Sequence, residues 1–86
     1  MSKTILITGA AKRVGKEMAL SFFKKGWNII IHYNSSIKDA QSLADEMNAK
    51  RKNSAFLIQG NLDNADDVLR IAETSLSVSG SIDGLI

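Results

Sequence analysis

The sequence contains no cysteine and a single histidine among its 86 residues. Without cysteine there is no disulfide framework, no thiol nucleophile and no thiolate metal site, a composition that suits a reducing cytoplasm. One histidine, His32, leaves no imidazole cluster for zinc, and no metal site is expected. No apolar run approaches the ~20 residues a membrane-spanning helix needs, so no membrane partner is expected. The opening Met-Ser-Lys-Thr enters a strand-like segment directly, without the apolar stretch of a signal peptide. The remainder is 44% hydrophobic and 23% charged, close to globular averages, which excludes wholesale disorder. A chain of this length makes one small domain at most.

Charge is unevenly spread. The net +2 divides into +5 over residues 1–30, +1 over 31–60 and −4 over 61–86. The positive charge surrounds one glycine-containing stretch, Gly9 to Gly15, and the last third is acidic. That distribution fits a compact phosphate ligand better than a long polyanion, so nucleic acid is not the expected partner.

Strand and helix patterns alternate along the chain. Thr4-Ile-Leu-Ile-Thr8 is a β-branched run closed by Gly9 and reads as a buried strand. From Val14 the period becomes helical, with Val14, Met18, Ala19, Phe22 and Phe23 forming the apolar face. Gly26 follows a basic last turn and is the expected C-cap. Asn28-Ile-Ile-Ile-His-Tyr33 is a second strand, and its three consecutive isoleucines mark a strand covered on both faces. Asn34-Ser35-Ser36 opens a second helix, with Ser36 and Asp39 spaced as a capping box. Ala40, Leu43, Ala44 and Met47 form its buried stripe. A polar loop is expected from Asn48 to Ser54, then a third strand over Ala55-Phe-Leu-Ile-Gln59, ended by Gly60. A third helix is expected from near Asn64, with Asp66 and Asp67 at its positive end and Val68, Ile71, Ala72 and Leu76 buried. Ser79-Gly-Ser81 reads as a turn, and Ile82 to Ile86 as a fourth strand.

The order β-α-β-α-β-α-β implies an α/β fold with a parallel sheet and right-handed crossovers. It is the first half of a doubly wound, Rossmann-like sheet with expected strand order 3-2-1-4. Residues 1–86 are therefore expected to be a partial dinucleotide-binding domain whose catalytic half is absent, a truncation or a gene fragment.

Thr8-Gly-Ala-Ala-Lys-Arg-Val-Gly15 joins the first strand to the first helix. Gly9 allows a tight turn off the strand, Gly15 allows close packing, and the N–H groups of the helix start can face a phosphate. Glycines serving packing alone are the other reading of this loop. A phosphate-binding P-loop is excluded. Five residues rather than four lie between Gly9 and Gly15, and Lys16 is followed by Glu17 instead of Ser or Thr.

Thr8-Gly-x-x-x-Arg-x-Gly15 resembles the cofactor loop of the short-chain dehydrogenase/reductase superfamily. Arginine in place of the middle glycine resembles the pteridine reductase branch of that superfamily. "HYNSS" at 32–36, "NAKRKNSA" at 48–55 and "GNLDN" at 60–64 resemble the same branch in order and spacing. "SIDGLI" looks like the strand that precedes the family's Asn-Asn-Ala-Gly segment, so the resemblance covers essentially the whole chain. It implies that Gly9, Arg13, Val14 and Gly15 form the pyrophosphate side of a nicotinamide cofactor site. Tyr33, Asn34, Ser35 and Ser36 would surround the adenosine ribose and its 2′-phosphate, and Asn61 and Leu62 would flank the adenine. The branch often carries arginine where Ser35 stands, and the superfamily often carries aspartate where Asn61 stands. Asn61 would then meet the adenine amino group through its side-chain oxygen.

Cofactor choice also follows from charge. Folds that prefer NAD usually carry a carboxylate at the end of the second strand. Two like charges ~4 Å apart repel by about 4 kcal/mol at an effective dielectric of 20, so an acid there would exclude a 2′-phosphate. Tyr33-Asn34-Ser35-Ser36 contains none, and Lys12 with Arg13 could supply countercharge, so NADP(H) is the expected cofactor.

The resemblance implies a parent enzyme that transfers hydride to a carbonyl or pteridine C=N bond, acts on a small molecule and is a homo-oligomer. The family's catalytic Tyr-x-x-x-Lys is missing. Tyr33 is the single tyrosine and residue 37 is Ile37, so no catalytic residue is assigned and no turnover is expected from these residues alone. The alternatives are a non-catalytic nucleotide-binding or interaction module and an inactive gene fragment. His32 is expected to be a hydrogen-bonded structural histidine, Trp27 to be partly packed, and Lys50-Arg51-Lys52 to be a solvated loop.

Overall fold

A computed structural model describes residues 3–10, 13–79 and 82–86. The elements alternate as β1 (Thr4–Ile7), α1 (Arg13–Lys24), β2 (Asn28–Tyr33), α2 (Ile37–Lys50), β3 (Ala55–Gln59), α3 (Ala65–Ser79) and β4 (Gly84–Leu85). The four strands form one sheet in the order β3-β2-β1-β4, every pairing parallel, as the sequence pattern implies.

Alternation along the strands divides the core in two. Ile5, Ile7, Ile29 and Ile31 face α1 and α2, where they meet Ala19, Phe23, Ala40, Leu43, Ala44 and Met47. Leu6, Ile30 and Ile58 face the other way and meet Ile71 of α3. This two-sided burial is why β1 and β2 are continuously apolar. Thr8 belongs to the turn after β1, and β4 is shorter than the expected Ile82–Ile86. Three backbone bonds flank the short β4 pairing, from Asp83 N–H to the Thr4 carbonyl at 2.7 Å, from Ile86 N–H to the Leu6 carbonyl at 3.0 Å and from Thr8 N–H to the Ile86 carbonyl at 2.8 Å.

The end of α1 is a Schellman motif. Gly26, at φ +93°, donates to the Phe23 carbonyl at 3.0 Å, and Trp27 donates to the Phe22 carbonyl at 3.1 Å. The apolar contact that accompanies this motif is an edge-to-face pair of Phe22 and Trp27, with ring centroids 5.0 Å apart. Trp27 is partly buried as expected.

Six local expectations are corrected. Val14 does not join the apolar face and is 71% exposed. The helix starts at Arg13, so Val14 falls in its first turn, ahead of the buried positions Ala19 and Phe23. Ser36 precedes α2 but makes no side-chain cap; its φ of −88° and ψ of 55° lie outside the usual cap conformation, while its carbonyl accepts from Ala40 N–H at 3.0 Å.

The expected loop at Asn48 begins only after Lys50, because the Asn48 side chain folds back onto β3. Its oxygen accepts from the Ser54 and Ala55 N–H groups, both at 2.9 Å, and its amide donates to the Ala55 carbonyl at 3.1 Å. Arg51 is not a solvated loop residue. It is half-buried, lies over Phe23 and donates to the carbonyls of Phe23 and Trp27.

The third helix differs most. Asn64 caps it through Oδ1, which accepts from Asp66 and Asp67 N–H at 2.9 and 3.1 Å. Val68, Ala72 and Leu76 are exposed, whereas Ile71 and Ser75 are buried. Two helices share the other sheet face, but α3 covers its own face alone, so only the narrow i, i+4 stripe of Ile71 and Ser75 is covered. Ser79 closes the helix instead of opening a turn; the rest of that expected turn, Gly80 and Ser81, lies outside the described residues.

Candidate functional site

The C-terminal ends of β1, β2 and β3 meet at one edge of the sheet. This is where open parallel sheets place their ligand sites. A cleft of about 310 Å³ opens there, and Thr8, Gly9, His32, Tyr33, Asn34, Ser35, Ser36 and Leu62 line it. Its size falls within the ~300–1,000 Å³ typical of small-molecule sites.

The glycine loop is shaped by two constraints. Gly9 has φ +64°, a left-handed conformation that costs a side-chain-bearing residue roughly 1–2 kcal/mol. Gly15 sits in the first turn of α1, where a Cβ would strike the Gly9 carbonyl oxygen and lie 3.0 Å from the Ala10 Cα. The close approach that Gly15 permits is therefore to the loop backbone itself. That folded-back loop leaves the positive end of the α1 dipole at the cleft side of the sheet, the electrostatic requirement for holding a phosphate.

Two consecutive amides of this loop are already bonded, both to His32. Gly9 N–H donates to His32 Nδ1 at 3.1 Å, and Ala10 N–H donates to the His32 carbonyl at 3.2 Å. The other ring nitrogen, Nε2, donates to the Gly60 carbonyl at 2.9 Å. His32 is 3% exposed with both nitrogens satisfied, the structural histidine expected from the sequence. Gly9 thus contributes its turn and not its N–H.

The wall of the cleft away from the glycine loop is built by loops tied to one another. Gln59 Nε2 donates to the Asn34 carbonyl at 3.0 Å, and Arg70 donates to the Gln59 carbonyl at 2.5 Å. Arg70 lies 3.7 Å from Asp67, whose other oxygen accepts from Asn61 N–H at 2.9 Å. This exposed chain of contacts joins the loop after β2 to the loop after β3. Each link is worth little on its own, but together they set the spacing of the two walls.

Of the residues expected at the site, Gly9, Tyr33, Asn34, Ser35, Ser36 and Leu62 line the cleft. Arg13, Val14 and Gly15 lie at the start of α1 and do not line it, and Lys12 lies outside the described residues. Asn61 does not line it either; its side-chain oxygen accepts from Asp63 N–H at 2.9 Å, which shapes the turn into α3. Thr8 and His32 also line the cleft, although neither is among the expected contact residues. Thr8 opens the turn after β1, and its hydroxyl donates to the Ile86 carbonyl at 2.8 Å. Gln59, Asp67 and Arg70 carry no sequence signal for their supporting role.

The residues fit a dinucleotide. The folded-back glycine loop sets the positive end of the α1 dipole on the cleft side, where a phosphate would be held, and the hydroxyl and amide groups at the end of β2 have the chemistry to meet a sugar and its substituents. No acidic side chain lines the cleft among the described residues. No helix in the described residues is long and apolar enough to cross a membrane.

Comparison with known proteins places this architecture in a family. Residues 3–86 match the model of the family described as short chain dehydrogenase. The whole chain is 35% identical, over 86 residues, to the 3-oxoacyl-acyl-carrier-protein reductase FabG of Staphylococcus aureus, of which it covers 35%. It is 44% identical over 59 residues to pteridine reductase 1 of Leishmania tarentolae, covering 69% of this chain and 20% of that protein. A hydroxynaphthalene reductase-like protein, Arp2 of Metarhizium acridum, is 36% identical over 81 residues, 94% of this chain and 30% of that protein. The chain spans about a third or less of the length of these curated relatives.

Proposed function

The chain belongs to the short-chain dehydrogenase family of oxidoreductases, and from that premise we propose that it is the NADP(H)-binding portion of a reductase. The observation that carries this reading is the cleft at the ends of β1 and β2, walled by Tyr33, Asn34, Ser35 and Ser36 without a carboxylate. Arg13, Val14 and Gly15 form the phosphate side at the start of α1. Tyr33 to Ser36 hold the ribose and its 2′-phosphate, and Leu62 packs against the adenine. Asn61 supports that wall through its turn, with its backbone N–H fixed by Asp67.

Bound NADPH would supply a hydride to the carbon of a C=O or C=N bond, with a proton reaching the oxygen or nitrogen. The likeness to pteridine reductase supports a pterin substrate, and the longer match to FabG supports a carbonyl one. The cysteine-free composition supports a cytoplasmic parent, and the resemblance supports a homo-oligomeric one.

Calorimetric titration with NADPH and NADH tests the reading. Binding with NADPH preferred by about tenfold is expected; preference for NADH defeats the NADP(H) assignment, and failure to bind either defeats the site. A second reading, binding without chemistry, is favoured by Tyr33 being the single tyrosine with Ile37 four positions on. These 86 residues should bind nucleotide yet leave NADPH unoxidised in the presence of a pterin or a 3-oxoacyl thioester. Any rate above the enzyme-free background refutes that.

A further inference from the structure

We infer that His32 is a positioning residue for the cofactor loop, acting through one fixed tautomer. The inference rests on the nucleotide reading above but concerns a residue outside the expected contact set. A carbonyl oxygen can only accept, so His32 Nε2 must carry the proton that bonds to Gly60; a backbone N–H can only donate, so Nδ1 must be the bare nitrogen facing Gly9. Only the neutral Nε2–H imidazole satisfies both contacts. The Nδ1–H tautomer would set a donor against the Gly9 amide and a lone pair against the Gly60 oxygen, and the imidazolium would lose the Gly9 bond.

The placement gives this geometry its consequence. Gly9 lies in the loop after β1, His32 in β2 and Gly60 directly after β3. The imidazole therefore pins together the three segments whose ends form the cleft. The His32 carbonyl adds a bond to Ala10, so residue 32 fixes two successive amides of the glycine loop from two different atoms. The turn at Gly9, held at φ +64°, determines where the following amides and the start of α1 point. An apolar residue here would fill the space in β2 but leave a buried donor and a buried acceptor unpaired.

Two substitutions separate the ends of the clamp. In His32→Asn the side-chain oxygen lies as many bonds from the backbone as Nδ1 and can accept from Gly9. In His32→Gln the terminal amide nitrogen corresponds to Nε2 and can donate to Gly60 but leaves Gly9 unpaired. Measured by NADPH titration of the intact protein, His32→Asn should stay within about threefold of wild type, whereas His32→Gln should bind about tenfold more weakly. Thermal melts should show similar losses for the two variants. Equal affinities in the variants, or tighter binding by His32→Gln, overturn the inference while the wild-type titration stands. Failure of the wild type to bind NADPH instead defeats the nucleotide reading, and the positioning role with it.

The imidazole nitrogen NMR spectrum of the wild type gives a readout that needs no variant. A neutral Nε2–H ring, unchanged on adding NADPH, is expected. An Nδ1–H ring or an imidazolium at neutral pH overturns the inference even if neither variant folds.

Discussion

Arg51 lies with its guanidinium carbon 4.3 Å from the centre of the Phe23 ring while Nη1 donates to the Phe23 carbonyl oxygen at 3.1 Å. A second donation, from Nη2, reaches the Trp27 carbonyl oxygen. One side chain from the end of α2 thus neutralises the negative end of α1 and fixes the turn into β2. Lysine can supply the charge but neither the planar fork nor the stacking. Arg51→Ala should lower stability by about 1–3 kcal/mol and Arg51→Lys by somewhat less, read from urea unfolding. Because these contacts sit at the opposite end of β2 from the cleft, NADPH affinity of the folded variants should not change. A parallel loss of affinity would show that this end of the sheet communicates with the cleft.

The exposed side of α3 gives a contrast within one helix. Leu69 is 61% exposed and Ile71 3% exposed, although both are large aliphatic residues two positions apart. Ile71→Ala should cost about 2–5 kcal/mol, the usual range for emptying a core position. Leu69→Lys should stay within about 0.5 kcal/mol of wild type. A large loss from Leu69→Lys in denaturant titrations would mean that Leu69 is covered in solution.

These two cases mark where the sequence is legible. The strand order follows from the β-branched runs and their alternation with helical stripes, because burial on both sheet faces demands continuous apolar strands. The Gly26 cap is legible because few residues other than glycine adopt its positive φ. The location of the site follows from the topology, since all the parallel strands end at one edge. Arg51 is illegible because it lies 28 residues from Phe23, and nothing in a basic triplet shows which cation turns inward. Val68, Ala72 and Leu76 mislead because periodicity identifies an apolar stripe but not how many helices share the sheet face beneath it. Asn61 has the right chemistry for adenine, but its oxygen is engaged by Asp63, a local contact that competes with the ligand role.

Gly15 offers a direct test of the loop. A Cβ there would strike the Gly9 carbonyl, a backbone atom that cannot swing aside. Alanine gains about 1 kcal/mol in helix propensity over glycine, while overpacking of this kind costs about 1–3 kcal/mol. Gly15→Ala should therefore lose little or only modest stability but bind NADPH at least tenfold more weakly, because the loop itself must shift. Calorimetry and a thermal melt on the same sample separate the two effects. Unchanged affinity would mean that the loop geometry is not what the nucleotide recognises.

A carboxylate placed at residue 35 tests the proposed preference for NADP(H). Ser35 is exposed at the rim of the cleft, so a carboxylate placed there would act through partly aqueous surroundings. At ~4 Å, like charges repel by about 1 kcal/mol in bulk water and by about 4 kcal/mol at an effective dielectric of 20. The exposed position favours the lower figure, so Ser35→Asp should weaken NADPH binding by about five- to tenfold. NADH has no 2′-phosphate, and its free ribose hydroxyls can donate to the new carboxylate, so its affinity should hold or improve. Raising the ionic strength should shrink the NADPH penalty and leave NADH nearly unaffected, because screening acts on exposed charges over about 10 Å at 0.1 M salt. Titrating both nucleotides at low and high salt separates charge repulsion from damage to the cleft: equal losses for the two nucleotides, insensitive to salt, would place the 2′-phosphate away from residue 35.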